Sequence, residues 1–357
     1  MSAAPSATPL TRAMLAALVE APDDLDELIE FFHARHWSDG LPVVPPTRER
    51  VERMLSCTNR KPDEVVANVA PGFGAATVER IAINAVMAGC RADYLPVLIA
   101  ATQAITAKEF NLQGIQATTN PVAVWLVVNG PIAGQLGVNG GMNCLGQGAV
   151  ANATLGRALR LIQQNIGGAI PGEMDRATHG MPGKFSFCCA ENEAHSPWEA
   201  LHVERGFKRE QSTVTVIGAA GTHNMNTHAE NADELISVIA DTMAFPASND
   251  YWINGEPWLV IGPQHAEILF KGGLSKAEVK RRLWEQSKMS AGRMAKMDLA
   301  RTQTARSAEL GPITADTLLP VSGAPEGIGI VVAGGPGTHS VYVASFGDTR
   351  AVTREIG

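Results

Sequence analysis

The sequence predicts an α/β protein made of two related β–α–β halves with a cleft between them, its sheets mainly parallel and flanked by helices. Three observations predict it. Short β-branched runs alternate with segments of helical period along the chain. Residues 122–128 form a near-continuous apolar run, as expected of a strand buried on both faces. And one pattern occurs twice. Residues 93–100 and 233–240 are similar helical segments, each followed by a Trp-Leu-Val run that ends in Gly-Pro, at Trp125 to Pro131 and Trp258 to Pro263. Each is also preceded by a strand and a Gly/Ala turn, at 69–74 and 216–221. Residues 65–131 and 213–263 therefore read as a duplicated unit, and a ligand cleft is expected beyond the strand ends.

The elements follow in order. Residues 10–19 and 24–36 read as helices, the second opened by Asp23 and Asp24, whose carboxylates complement the helix dipole. Three prolines make 38–46 irregular, and Thr47 can cap a helix over 48–56. A strand at 65–69 and a turn at 71–74 lead to a helix over 77–88, which Gly89 ends. Another helix starts at Asp93, with Pro96 in its first turn. After the 122–128 strand come a Gly/Asn-rich loop (134–148) and a helix (149–164). Adjacent Cys188 and Cys189 fall in a further strand. The second half holds strands at 214–218, 258–263 and 329–333, with helices at 233–243 and 276–287, the last capped by Ser275. The expected organisation is an N-terminal helical arm with a Pro-rich segment (1–60), a first α/β unit (61–212) and a second (213–357).

Composition narrows the function. Of 357 residues 45% are hydrophobic and 18% charged, which excludes disorder of the whole chain. A net charge of −7 argues against a general nucleic-acid binder or an anionic-membrane binder. No apolar stretch reaches the ~20 residues a membrane span needs. The first nine residues read as a small tail rather than a signal peptide, so a cytoplasmic location is expected. Five cysteines, without a CxxC pair, argue against a disulfide framework or zinc knuckle. No Walker A, Gly-x-Gly-x-x-Gly, Gly-x-Ser-x-Gly or His-Glu-x-x-His pattern occurs, so no nucleotide cofactor is expected.

Polar residues cluster where βα loops should be. Thr118 and Thr119 precede the 122–128 strand and Asn129 ends it; Asn139, Asn143 and Asn152 follow, with Arg157 on the next helix. Amides, helix N-termini and an arginine suit a small substrate bearing carboxylate or carbonyl oxygens. His223 and His339 sit in repeated Gly-Thr-His segments, and His265 follows a third strand end. If these histidines converge they form a general-base or divalent-metal site, with Glu191, Glu193 and Asp175 as available carboxylates. Cys90, beside Arg91 and near a helix start, is a candidate nucleophile whose thiol pKa would be lowered.

The run Asp39-Gly40-Leu41-Pro42-Val43-Val44-Pro45-Pro46-Thr47, residues 81–90 and residues 151–161 resemble a family of bacterial proteins of unassigned function. That family is similar to the partners of proteins named for a Sec/Cys-containing U-G-S-C motif, and the tetrapeptide itself is absent from this chain. The resemblance implies a redox-active sulfur or selenium on a partner chain and carries over no catalytic residue. The residues themselves point to an enzyme, a hydrolase or lyase with a His/carboxylate site. The alternatives are a subunit of a thiol- or selenol-dependent complex and a small-ligand binding protein. Small apolar helix faces and abundant Gly favour a homo-oligomer.

Overall fold

The computed structural model describes residues 16–357. The expected N-terminal tail and most of the expected 10–19 helix lie outside the described residues, and 16–19 are not helical. The chain then forms α1 (Leu25–Ala34), whose N-cap Asp24 accepts hydrogen bonds from the N–H groups of Asp26 and Glu27. Next is α2 (Arg48–Leu55), capped by Thr47. A hairpin of β1 (Val65–Val69) and β2 (Gly74–Thr77) leads into α3 (Val78–Ala88). Gly89 ends α3 at φ +85°, a left-handed position where a side chain would be strained. After α4 (Leu95–Ile105) and α5 (Leu112–Ala117) comes β3 (Ala123–Asn129), buried along its whole length. Then follow α6 (Pro131–Leu136), α7 (Val150–Asn165), β4 (Cys188–Ala190) and α8 (Leu201–Glu204).

The second half opens with β5 (Thr213–Asn226), α9 (Ala232–Met243), α10 (Asn249–Ile253) and β6 (Trp258–Ile261). It continues through α11 (Pro263–Lys271) and α12 (Lys276–Gln286), the latter capped by Ser275. A short pair, β7 (Met289–Ser290) and β8 (Leu318–Leu319), brackets α13 (Lys296–Leu310). The chain ends with β9 (Gly329–Val332), β10 (His339–Ser345) and β11 (Val352–Glu355).

The fold is α/β. Its main sheet has seven strands in the order β4-β3-β5-β10-β6-β9, with β11 also paired to β5. The parallel majority expected from sequence is corrected. Only β3–β4 and β6–β9 are parallel, whereas β3–β5, β5–β10, β10–β6 and β5–β11 are antiparallel. Apolar runs report burial on both faces, and here the curl of the sheet provides it for β3 between one parallel and one antiparallel neighbour. Inward side chains of β3, β4, β5, β6, β9 and β10 share one cluster around Trp125 and Trp258. The two rings meet edge to face at 6.1 Å, and Phe187 stacks on Trp125 at 5.2 Å. The outer faces carry two further cores, one with α3, α4 and α7, the other with α9, α11 and α12.

The expected duplication of 65–131 and 213–263 is not found in the sheet, although a strand arrangement does recur. β1 pairs only with β2, outside the main sheet, so residues 65–131 do not make a β–α–β unit of one sheet. The repeated order is instead β3–β4–β5 and β6–β9–β10. In each triplet a Trp-Leu-Val strand lies parallel to an edge strand and antiparallel to a central strand, and β5 and β10 pair antiparallel. That arrangement is approximately two-fold about the β5–β10 pair. The expected boundary at 212/213 falls just before β5, which hydrogen-bonds to β3 on one side and β10 on the other.

Candidate functional site

The curl brings the tips of the two edge strands together. The Asn192 N–H donates to Val332 O at 2.7 Å, and the Gly334 N–H donates to Gly140 O at 2.9 Å. Above this seam lies a continuous groove. One part, of about 570 Å³, is lined by Gly130, Glu191, Glu193 and Arg209. The other, of about 760 Å³, is lined by Met142, His195, Gln264 and Gly335, and the two share Gly141, Asn192 and Ala194. Asn152, buried on α7, holds the loop on one wall: it accepts from the Asn139 N–H and donates to the carbonyls of Asn139 and Cys144.

Two carboxylates meet at the floor, because β3 and β4 are parallel and adjacent and their successors leave at the same end. Asn129, fully buried at the end of β3, donates its Nδ2 to Glu191 Oε2 at 2.6 Å and to Glu193 Oε1 at 3.1 Å. Glu191 Oε2 also accepts the Leu201 N–H at 2.7 Å, and Glu193 Oε1 accepts the Gly130 N–H at 2.7 Å. The Nδ1 atom of buried His202 lies 3.8 Å from Glu193 Oε1. Among the described residues, Asn129 Oδ1, Glu191 Oε1, His202 Nδ1 and Thr213 Oγ1 are buried without a hydrogen-bonding protein partner. Thr213 faces Asn129 in the β3–β5 register, so these four atoms belong to one neighbourhood. Such a concentration is unusual in a finished core.

Desolvation pushes the Glu191 carboxyl above its usual range, and neighbouring Glu193 adds to the rise; Lys276, the Leu201 N–H and Asn129 oppose it. Glu193 is the more accessible of the two, its side chain 31% exposed. Behind them, desolvation works upward on Glu204, yet Lys276 and Lys280 together hold that carboxyl below its usual range.

Of the three histidines, His265 and His339 lie near one another, whereas His223 and His339 point to opposite faces. His223 and His339 lie in strands rather than loops, because β5 continues along β10 beyond Ala123, the start of β3. His223 pairs with Tyr342 and His339 with Asn226, so strand alternation sends their side chains to opposite faces. His265 is fully buried on α11, its Nδ1 2.8 Å from Ser340 Oγ and its Nε2 3.1 Å from Thr227 O. Burial holds its pKa below the ordinary histidine value, and the nearby His339 and His228 lower it further. Both ring nitrogens are occupied, which makes it a packing histidine. Among the described residues, no three His, Cys, Asp or Glu side chains are grouped to hold a metal ion.

Cys90 is also corrected. Burial pushes its thiol up to about 12, Sγ donates to Thr154 O at 3.3 Å, and Arg91 pairs with Asp93 instead. Arg157 does not await a substrate. Its Nε and Nη2 bind Asp39 at 2.8 Å each, and Nη2 also reaches the carbonyls of Leu41 and Pro42, tying down the Pro-rich segment. Asn139 and Asn143 build the turn, through Asn139 Oδ1 to the Gly141 N–H and Asn143 Nδ2 to Gln147 O. Thr118 and Thr119 lie at the other end of β3, about 20 Å from Asn129 at ~3.3 Å per residue. Of the expected binding residues, Asn129 therefore reaches the floor of the groove and Asn139 shapes its wall. Sequence reasoning missed His202, which the fold brings near Glu193, whereas it named Glu191 and Glu193 as available carboxylates. The chain matches no protein-family model and no curated protein sequence.

Proposed function

We propose that the chain is an enzyme that moves a proton on a small carbonyl- or carboxylate-bearing molecule, a hydrolase or lyase acting in the seam groove. One observation carries this reading: a buried carboxyl with a raised pKa, Glu191, shares an amide donor with a second, more accessible carboxylate, Glu193. A carboxyl raised by burial beside a second, more accessible one can supply acid and base chemistry from one site. Glu193 is the group placed to meet substrate, and Asn129 and the Gly130 N–H fix its orientation. Glu191, its carboxyl raised by burial, is the proton donor we assign behind it, and Arg209 on the groove wall supplies a cation for a substrate carboxylate. His202, whose Nδ1 lies 3.8 Å from Glu193 Oε1, stands beside the carboxylates in place of the expected His223, His265 and His339.

The test is turnover of a panel of small esters, amides and β-hydroxy acids by the purified protein. Glu193→Gln is expected to lower the rate by about 10²-fold or more, the usual size of an acid–base contribution. A Glu193→Gln protein as active as the parent, or no turnover across the panel, counts against the proposal. A second reading, a subunit of a thiol-dependent complex, draws support from one feature. Buried Cys144 and Cys189 share a hydrogen bond below the groove, which lowers the Cys144 thiol and raises that of Cys189. Co-purification with a thiol- or selenol-bearing partner, lost on Cys144→Ala, would favour it.

A further inference from the structure

A separate cavity of about 710 Å³ opens at the other end of α7, between residues 36–40 and the loop 170–185. Asn152 reaches toward the seam groove and Arg160 toward this cavity, eight residues or about 12 Å along the helix. Its acidic groups already have cationic partners. Both oxygens of Asp39 are taken by Arg157. Asp175 Oδ1 accepts from Lys184 Nζ and, at 3.3 Å, from the Ala177 N–H, while Oδ2, buried without a hydrogen bond, lies at ion-pair distance from Lys184 Nζ (2.7 Å) and Arg160 Nη2 (3.2 Å). What remains unspent is donor capacity. Arg160, a buried guanidinium, gives Nη2 to Ala169 O, and among the described residues its other acceptor is Asp175. Lys184 keeps N–H groups beyond the one given to Asp175, and His36 and His179 stand on the rim. With Arg157 and Asp39 cancelling, two cations face one carboxylate, a surplus of one positive charge. Desolvation lowers the pKa of both Arg160 and Lys184, so an arriving negative charge is favoured. Ile170, Pro171, Met181, Pro182 and Phe185 give the cavity an apolar wall.

We propose that this cavity is a second binding site, for a small monocarboxylate with an apolar body, whose carboxylate is held by Arg160 and Lys184. Arginine offers the carboxylate a two-pronged donor and lysine a point charge. The apolar part lies against Met181 and Phe185. The site is independent of the proton-transfer groove.

Benzoate is the probe, followed by calorimetry and by NMR chemical-shift changes on the intact chain. Benzoate is expected to bind at pH 7, and benzamide, with the same body and no charge, is not. Lys184→Met is expected to weaken benzoate binding by about tenfold or more, the size of one lost charge-assisted bond. Glu191→Gln is expected to leave benzoate binding unchanged, which separates this site from the groove. Because Arg160 also supports Ala169 and Asp175, Arg160→Lys is the companion variant; it keeps the charge and loses the fork, and is expected to weaken binding as well. No benzoate binding, equal binding of benzamide, or unchanged affinity in a folded Lys184→Met protein would overturn the proposal.

Discussion

Arg157→Ala separates an anchoring arginine from a substrate-binding one. The wild-type guanidinium makes two 2.8 Å bonds to Asp39 and two more to the carbonyls of Leu41 and Pro42. The Asp39 side chain is only 4% exposed and that of Arg157 14%, so the pair is largely out of water. Removing the arginine leaves a buried carboxylate uncompensated, which typically costs about 3–5 kcal/mol. At about 2 °C per kcal/mol, the low end for long chains, the melting temperature should fall by about 6–10 °C. The assay is urea unfolding at pH 7 of the parent, Arg157→Ala, Asp39→Asn and the double variant. The double variant should recover part of the loss, because no unpaired charge remains. A loss below ~1 kcal/mol for Arg157→Ala, or strictly additive losses, would refute the reasoning, since exposed pairs contribute only about that much.

Three further outcomes are expected. A raised carboxyl pKa in the folded state means that folding favours the protonated form, so stability from Glu191 is present at low pH and is lost as pH rises through the folded value. Glu191→Gln should therefore flatten the pH dependence of unfolding above the ordinary glutamate range, and an unchanged profile would count against it. With its thiol near 12, Cys90 should react with iodoacetamide at pH 8 about 10³-fold more slowly in the native than in the unfolded chain, judged by mass spectrometry; equal rates would contradict the burial argument. A Cβ added at Gly329 would stand 2.2 Å from the Trp258 ring, so Gly329→Ala should cost at least about 1–3 kcal/mol by overpacking, measured by thermal unfolding.

Much of the fold was legible because its signals are local. Asp24, Thr47, Thr77 and Ser275 each cap a helix through bonds made within three residues, and Gly89 ends one. The Trp-Leu-Val repeat was visible too, and it marks β3 and β6 in equivalent places. Pairing was not legible. An apolar run such as Trp125 to Val128 reports burial on both faces, and a curled mixed sheet satisfies that as well as a parallel one. The same gap misplaced the histidines, since nothing local to Gly221-Thr222-His223 shows that β10 will extend the strand through it. At the groove, Asn129 was legible as a residue ending a buried strand. Its two carboxylate partners are 62 and 64 residues away, and only the parallel β3–β4 pairing brings them to it. Arg157 and Arg160 read alike on one helix; which faces a cavity and which binds Asp39 depends on how the Pro-rich segment packs.

The central claim is that burial at the seam groove raises the Glu191 carboxyl beside a second one, Glu193. Its most direct test is a pH titration of the side-chain carboxyl carbons by NMR in the intact protein, with Glu191→Gln used to assign the Glu191 signal. The account predicts a midpoint for Glu191 above that of a free glutamate, and a downward displacement of that midpoint when Glu193 is replaced by Gln. A Glu191 midpoint within or below the free-glutamate range, unmoved by Glu193→Gln, would contradict it.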